Sequence, residues 1–104
     1  MIEATVLYSG SRIKGIHILN HGDPIICAAV SALSQNCANS IESFTDALFT
    51  VDCSEGDLSI QLESFDEKGI AEILLSSLLL GLENISQGYP GNINITKKKI
   101  EKEV

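Results

Sequence analysis

The sequence predicts an α+β protein with a two-layer sandwich fold. Residues 2–8 and 12–21 alternate between apolar and polar side chains, which is typical of half-buried strands. Residues 24–40 and 67–86 repeat apolar side chains at helical spacing. Short turn signals between the strands indicate hairpins, so we expect an antiparallel sheet of four to five strands with two helices on one face. The predicted order is β-β-α-β-β-α-β, in a single domain over residues 1–104.

The first two strands form a predicted hairpin around the turn Ser9-Gly10-Ser11. In the second strand, Ile16 and Ile18 share one face, and His17 and His21 lie on the other. Four residues along a strand separate the two histidines by roughly 13 Å, too far for both to ligate one metal ion. We therefore predict no metal site, an exposed His17 and a separate role for His21.

The start of the first helix contains the candidate reactive residue, Cys27. Pro24 suits the first helical position and Asp23 suits the N-cap, which puts Cys27 in the first turn. There the unpaired backbone N–H groups and the helix dipole favour a negative charge, and hence a thiolate. The alternative is a small core residue. Helical spacing favours the reactive interpretation, because Cys27 shares a small, partly polar face with Ser31, Ser34 and Ala38, apart from the apolar stripe Ile26, Val30, Leu33, Cys37 and Ile41.

His21 lies six residues before Cys27 and is the candidate general base, since a tight turn brings the two close together. Asp23 either orients His21 or serves only as the N-cap, and we favour the cap. Ser31 lies one turn after Cys27 and either hydrogen-bonds within the site or bonds the backbone four residues earlier. Backbone N–H groups of the turn 23–28 are the candidate donors for an oxyanion.

The residue pattern in the second half of the chain predicts a hairpin and a second helix. The third strand is expected over 46–52, Ser54-Glu55-Gly56-Asp57 forms the turn, and Leu58 begins the fourth strand. Cys37 and Cys53 both fall on apolar stripes and are predicted core residues.

The predicted second helix, residues 67–86, is apolar on more than one side. One stripe can face the sheet, which leaves Ile73, Leu79 and Leu80 without an evident partner. These residues are buried either under the C-terminal segment or in a homodimer interface. A short strand is expected over 92–96, and a charged, frayed tail follows from about residue 97 to residue 104.

The composition limits which cellular compartment and which classes of partner the protein is expected to have. A formal net charge of −7 disfavours direct nucleic-acid binding, which requires a basic surface, and is compatible with a basic protein partner. Three cysteines without repeated spacing indicate free thiols in a reducing cytoplasm. No secretory pattern opens the chain, and the longest apolar run, 73–82, is too short to span a bilayer. We expect a cytoplasmic protein that does not bind a membrane.

The chain resembles the ribosomal-processing cysteine protease (Prp) family in several short segments. His21 and the run Cys27-Ala28-Ala29-Val30-Ser31-Ala32-Leu33 match the family's histidine and helix start. The resemblance continues through Asn39-Ser40-Ile41-Glu42, Gly56-Asp57-Leu58-Ser59-Ile60, Leu79-Leu80-Gly81-Leu82 and Tyr89-Pro90-Gly91-Asn92-Ile93. Three features depart from the family: Asn20 replaces a glycine, Pro24 replaces an aspartate with Asp23 one place earlier, and the segment between the histidine and the cysteine is shorter.

The resemblance implies a cytosolic cysteine endopeptidase without a cofactor, with Cys27 as nucleophile, His21 as base and Asp23 or Ser31 in support. It also implies a homodimer that removes a short N-terminal extension from a large-subunit ribosomal protein. Two other functions stay open. The shortened segment is compatible with a non-catalytic ribosomal-protein-binding module of the same fold. A redox-sensing thiol protein is disfavoured, because the helix face of Cys27 carries no resolving cysteine.

Overall fold

The computed structural model describes residues 1–100, and its order of elements is the predicted one. Strands β1 (Ile2–Ser9) and β2 (Arg12–Leu19) precede helix α1 (Pro24–Phe44). Strands β3 (Phe49–Ser54) and β4 (Asp57–Leu62), helix α2 (Ile70–Gly88) and strand β5 (Ile93–Lys99) follow. The α+β class and the order β-β-α-β-β-α-β are confirmed.

The five strands form one mixed sheet in the order β3-β4-β2-β1-β5. Neighbouring pairs are antiparallel except β1 and β5, which run parallel, so the prediction of a wholly antiparallel sheet was wrong. The reason is the crossover through α2, since a helix carries the chain back along the sheet and the next strand then enters in the same direction as the one before it. Strand β5 therefore runs parallel to β4 and to its own neighbour β1.

A single hydrophobic core lies between the sheet and the two helices, as the sandwich prediction required. Alternate strand residues point into it, and each helix contributes one stripe. The largest fully buried side chains include Ile2, Val6, Ile16, Ile41, Ile60, Leu62, Leu75 and Leu82. Full burial of such a side chain contributes about 1.5–3 kcal/mol, so this core is the main source of stability.

Helix α1 differs from the prediction at two points. It continues to Phe44, and the hydroxyl of Thr45 then donates to the carbonyl of Ile41 at 2.8 Å, which ends the helix. Ser34, expected on the small accessible face, is buried. Its hydroxyl donates to the carbonyl of Val30 at 2.7 Å, so the buried polar group is satisfied.

Helix α2 begins at Ile70, three residues later than predicted, because Gly69 has a left-handed backbone with φ of 72°. Leu79, predicted as spare surface, is buried, since α2 packs against α1 as well as the sheet. Ile73 and Leu80 are exposed, at 64% and 58%. The predicted excess apolar surface of the second helix is therefore reduced to these two residues.

Strand β3 lies at the edge of the sheet and begins at Phe49 rather than near residue 46. Its inner face is not covered by a helix to the same extent as the central strands, and Val51 and Cys53 are exposed. The prediction of a core Cys53 was wrong, because alternation on an edge strand does not guarantee burial. Cys37 is buried, as predicted.

Strand β5 continues to Lys99, three residues beyond its predicted end, because its backbone pairs with β1 as far as Tyr8. The expected charged tail, 97–104, thus begins inside a strand, and its residues 101–104 lie outside the described part of the chain. Within residues 1–100, neither helix is both long and apolar enough to cross a membrane.

Candidate active site

Cys27 lies in the first turn of α1, where the sequence predicts it. Asp23 is the N-cap, and its Oδ1 accepts hydrogen bonds from the N–H groups of Ile25 at 2.9 Å and Ile26 at 3.4 Å. The N–H of Cys27 donates to the carbonyl of Asp23 at 2.8 Å. These bonds hold the helix start, and with it the Cys27 side chain, in a defined position.

The loop between β2 and α1 folds back over the thiol. The N–H of Gly22 points at Sγ of Cys27 at 3.2 Å, and Sγ lies 3.7 Å from the carbonyl oxygen of Gly22. A backbone N–H at this distance stabilises negative charge on sulfur. The sequence analysis did not identify Gly22, because only the closing of the loop brings its amide to the sulfur.

The His21 ring packs against the turn between β3 and β4. A Cβ at Gly56 would lie 2.9 Å from Nε2 of His21, closer than side-chain carbons approach, and Gly56 has a φ of +72°. Only glycine therefore suits this position while the ring stays in place. The N–H of Asn20 donates to the carbonyl of Gly56 at 2.9 Å, which ties the loop to the same turn. The sequence marks Gly56 only as a turn residue.

Cys27 and His21 line one cavity of about 110 Å³, on the helix side of the sheet. Ile18, Val30 and Leu58 supply apolar wall, and Ser31 also borders the cavity. Within residues 1–100 no hydrogen bond joins the His21 ring to Sγ. The two groups thus share a cavity without a hydrogen bond between them, and catalytic hydrogen bonds commonly tighten only when substrate binds.

The two predicted supporting residues differ in position. The Asp23 carboxylate is occupied by the helix cap, and in the described chain it makes no hydrogen bond to His21. Ser31 is exposed at the cavity. The N–H groups of Ile25, Ile26 and Cys27 all have partners, so these three groups of the turn are not free to bind an oxyanion. The amide of Gly22 is the donor that faces the sulfur.

His17 lies on the opposite face of the sheet from Cys27. Its Nε2 is 2.8 Å from Oδ1 of Asp57. Asp57 is a diagonal neighbour, because Ser59 is the residue directly opposite His17 in the ladder. No group of three or more His, Cys, Asp and Glu side chains within residues 1–100 is arranged to hold a metal ion.

The three cysteines occupy three different environments. Cys37 is buried, its Sγ donates to the carbonyl of Leu74 at 3.5 Å, and burial raises the pKa of its thiol to about 11. Cys27 is half-buried at the cavity with His21. Cys53 is exposed and lines that cavity from the β3 side. Of the three, Cys27 alone lies at a helix start beside an amide donor.

A two-layer α+β fold that puts a helix-start thiol and an imidazole in one cavity defines a candidate cysteine hydrolase. Comparison with protein families is consistent with this class. The family model described as cysteine protease Prp matches residues 1–94, and the chain belongs to that family.

Solved structures show the same fold. The essential ribosomal processing protease Prp of S. aureus, in complex with a covalently linked product peptide, has a TM-score of 0.85 and 22% identity, covering 94% of this chain and 100% of that chain. The same protease with a substrate peptide has a TM-score of 0.81 and 22% identity over the same shares. SMU.848 from Streptococcus mutans has a TM-score of 0.83 and 25% identity over 96% of each chain. No curated protein matches the chain significantly.

Proposed function

We propose that this protein is a cysteine endopeptidase that removes a short N-terminal extension from a large-subunit ribosomal protein in the cytoplasm. The observation that carries the proposal is the shared cavity of Cys27 and His21 in a chain of the Prp family. The similar S. aureus protein is a ribosomal processing protease solved with a substrate peptide and with a covalently linked product peptide. Both a ribosomal substrate and free thiols fit a cytoplasmic protein.

In the first step His21 removes the proton from the Cys27 thiol, and the thiolate attacks the carbonyl carbon of the scissile bond. A carbon–sulfur bond forms and the carbonyl electron pair moves to oxygen. The N–H of Gly22, 3.2 Å from Sγ in the resting site, turns from the sulfur to the developing oxyanion beside it.

In the second step the carbon–nitrogen bond breaks, and the amine leaves with the proton from the His21 imidazolium. The acyl group remains on Cys27 as a thioester. His21 then takes a proton from water as the water attacks the thioester. The carbon–sulfur bond breaks, the carboxylic acid product leaves, and the His21 imidazolium returns its proton to the Cys27 thiolate. Asp23 acts in this scheme as a positioning residue, because its cap holds the helix start that carries Cys27.

The decisive experiment offers the enzyme a synthetic peptide that spans the extension of the ribosomal protein and the residues after the cleaved bond. Wild type is expected to cut this peptide once, as read by mass spectrometry, and Cys27→Ala is expected to leave it intact. Binding without cleavage by wild type would favour the non-catalytic binding module. If wild type neither binds nor cleaves the peptide, both functions are contradicted.

We also propose that the protein is a homodimer through Ile73 and Leu80, which lie seven residues apart on one face of α2 and are both exposed. The double variant Ile73→Glu/Leu80→Glu is expected to sediment as a folded monomer at micromolar concentration. Leu48→Glu is the control, because Leu48 is equally exposed but lies outside α2. A wild type that sediments as a monomer would contradict the interface.

A redox-sensing thiol is the second candidate, and the observation in its favour is Cys53, which lines the Cys27 cavity. Peroxide would convert the Cys27 thiolate to a sulfenic acid, and the Cys53 thiol would then displace water to form a disulfide. Intact mass after peroxide tests this. Wild type would lose two hydrogens, whereas Cys53→Ser would gain one oxygen. Full cleavage activity without any disulfide would reject the redox function.

A further inference from the structure

The positive charges of residues 1–100 are concentrated at one corner of the sheet. Strand β1 lies between β2 and β5, and its last residues pair with the start of β2 and with the end of β5. These strand ends bring five basic residues together around the β1–β2 turn. They form a surface that is here called the basic corner: Arg12, Lys14, Lys97, Lys98 and Lys99.

The positive charge of the basic corner is only partly neutralised. Arg12 forms a salt bridge with Glu72, and within residues 1–100 no carboxylate forms a salt bridge with the four lysines of the corner. Glu83 borders a groove together with Lys97 but is not paired with it. The three lysines of β5 are exposed, so their ammonium groups are accessible to an anion.

The formal net charge of −7 does not decide what binds at this corner. The Cys27 cavity lies at the other end of β2, and the length of that strand, from Arg12 to Leu19, separates the two ends by about 24 Å. Exposed charges are largely screened beyond about 8–10 Å at physiological ionic strength. The carboxylates near the active site, such as Asp23 and Asp57, therefore weaken anion binding at the basic corner only slightly.

A groove of about 500 Å³ lies within the basic corner. Tyr8, Gly10 and Ser11 line one side of the groove, and the three lysines of β5 line the other. Tyr8 is half-buried and pairs with Lys99 in the β1–β5 ladder, so its ring and the Lys99 side chain lie on the same face of the sheet. Proteins that bind single-stranded nucleic acid without sequence preference combine such a positive groove with an aromatic ring on which a base stacks.

We propose that the basic corner binds the phosphate backbone of single-stranded RNA, with the Tyr8 ring as the stacking surface for a base. The site is separate from the cavity of Cys27, so the proposal goes beyond the proposed cleavage reaction. The choice of RNA as the polyanion rests on the proposed function, because a ribosomal protein is assembled together with RNA. An anionic membrane is the competing partner. Binding to a membrane surface also buries apolar side chains, and none of the exposed large apolar side chains belongs to the basic corner.

The first test measures RNA binding and its dependence on salt. A fluorescein-labelled oligouridine of about 12 nucleotides is titrated with the protein, and fluorescence polarisation reports the Kd. Wild type is expected to bind with a Kd of about 1–100 μM at physiological salt. Lys97→Gln/Lys99→Gln is expected to raise the Kd about tenfold. It should also reduce the slope of log Kd against log salt by about 1.4, because each phosphate contact to a single strand contributes about 0.7.

A matched control separates the local charge from the net charge. Asn36→Asp/Asn39→Asp changes the net charge by the same amount as Lys97→Gln/Lys99→Gln, and both asparagines are exposed on α1, outside the basic corner. This control should leave the Kd for RNA unchanged within about twofold, because screening limits the reach of the added charges. The lysine variant should keep the wild-type kcat/KM for the extension peptide, since it changes no residue of the Cys27 cavity.

The second test concerns the aromatic ring. Tyr8→Leu keeps an apolar side chain against the core but removes the ring, and it is expected to raise the Kd for RNA at least about fivefold. The salt slope should not change, because stacking is not a phosphate contact. Tyr8→Phe keeps the ring and should keep the wild-type Kd within about twofold. Equal Kd values for Tyr8→Leu and Tyr8→Phe would contradict stacking on this ring.

The outcomes separate RNA binding from cleavage. If wild type binds RNA and the lysine variant loses affinity while no peptide is ever cleaved, the inference stands and the proposed activity fails. If wild type cleaves the peptide but does not bind RNA, the activity stands and the inference is overturned. The inference is also overturned if Lys97→Gln/Lys99→Gln binds RNA as tightly as Asn36→Asp/Asn39→Asp. Sedimentation with vesicles of phosphatidylserine and phosphatidylcholine is the last measurement, and binding to vesicles without binding to RNA would overturn the inference in favour of a membrane surface.

Discussion

The two helices both begin beside an aspartate that accepts backbone hydrogen bonds, yet only the start of α1 borders the cavity that Cys27 and His21 line. At α1, Oδ1 of Asp23 accepts from the N–H groups of Ile25 and Ile26. At α2, the two carboxylate oxygens of Asp66 accept from the N–H groups of Ile70 and Ala71, each at 2.9 Å. In both helices an aspartate carboxylate accepts from the first backbone N–H groups, but Asp23 is itself the N-cap, whereas Asp66 lies three residues before the N-cap Gly69. The two starts also differ in their surroundings.

The start of α2 is closed. Asp66 is buried, and the Nε of Arg12 donates to Oε2 of Glu72 in the first turn at 2.9 Å. The Arg12 guanidinium also lies over the Phe65 ring, 3.8 Å from its centroid. The Ala71 N–H, together with that of Ile70, lowers the pKa of Asp66 against the opposing effect of burial.

The start of α1 is open. Asp23 is exposed, and the chain before it bends so that the N–H of Gly22 points at the Cys27 thiol and His21 lines the same cavity. An aspartate carboxylate thus holds the start of each helix, but only the start of α1 is next to the cavity of the proposed active site.

The largest effect is expected from removing the thiol at the open start. Cys27→Ala should lower the kcat/KM for cleavage of the extension peptide by about 10⁴-fold or more, since the variant lacks the proposed nucleophile. Cys37→Ala, on the same helix but buried, should keep activity and lower the melting temperature instead. Cleavage by Cys27→Ala at a rate near that of wild type would place the nucleophile elsewhere.

The second largest effect is expected from replacing His21, the proposed general base. His21→Ala should lower kcat/KM about 10²–10⁴-fold, the usual contribution of general-base catalysis, with little change in melting temperature. His17→Ala removes a ring on the opposite face of the sheet and should change kcat/KM less than about twofold. If His17→Ala abolished cleavage and His21→Ala did not, the proposed dyad would be wrong.

A smaller effect is expected from the turn that supports His21. Gly56→Ala places a methyl group 2.9 Å from Nε2 of His21 and should lower kcat/KM about tenfold by displacing the ring. Gly10→Ala is a matched control, because Gly10 also has a positive φ but has no atom near its added methyl group. Both variants should lose about 1–2 kcal/mol of stability from backbone strain. Equal cleavage by the two would mean that Gly56 does not position His21.

The smallest effect is expected at the closed start, and on stability alone. Asp66→Ala should lower the melting temperature at neutral pH and leave kcat/KM unchanged. The pKa of Asp66 in the folded protein lies below its ordinary value of 3.8. The ionised carboxylate therefore stabilises the fold fully above pH 3.8, and this stabilisation is lost as the pH falls through the lowered pKa of the folded state. Melting temperatures of the variant and wild type should therefore converge only below pH 3.8. Convergence at higher pH would contradict the lowered pKa.

The sequence by itself determined the features that depend on near neighbours in the chain. Apolar spacing predicted the order of elements, and Asp23 with Pro24 predicted the helix start that contains Cys27. Hydrogen bonds of a helix join residues four apart, and strand alternation repeats every two residues. Helices and strands can therefore be predicted from short segments of the sequence. The resemblance to the Prp family rests on the same short segments.

Only the tertiary structure decided how distant segments meet. Strand order puts Gly56 against His21, leaves Cys53 exposed at the edge beside the Cys27 cavity, and makes β5 parallel to β1. The closed start of α2 likewise depends on Arg12, which is 60 residues from Glu72 in the chain. Contacts between residues that are distant in the sequence depend on how the whole core packs. A local pattern of side chains therefore does not predict which distant residue a given side chain will contact.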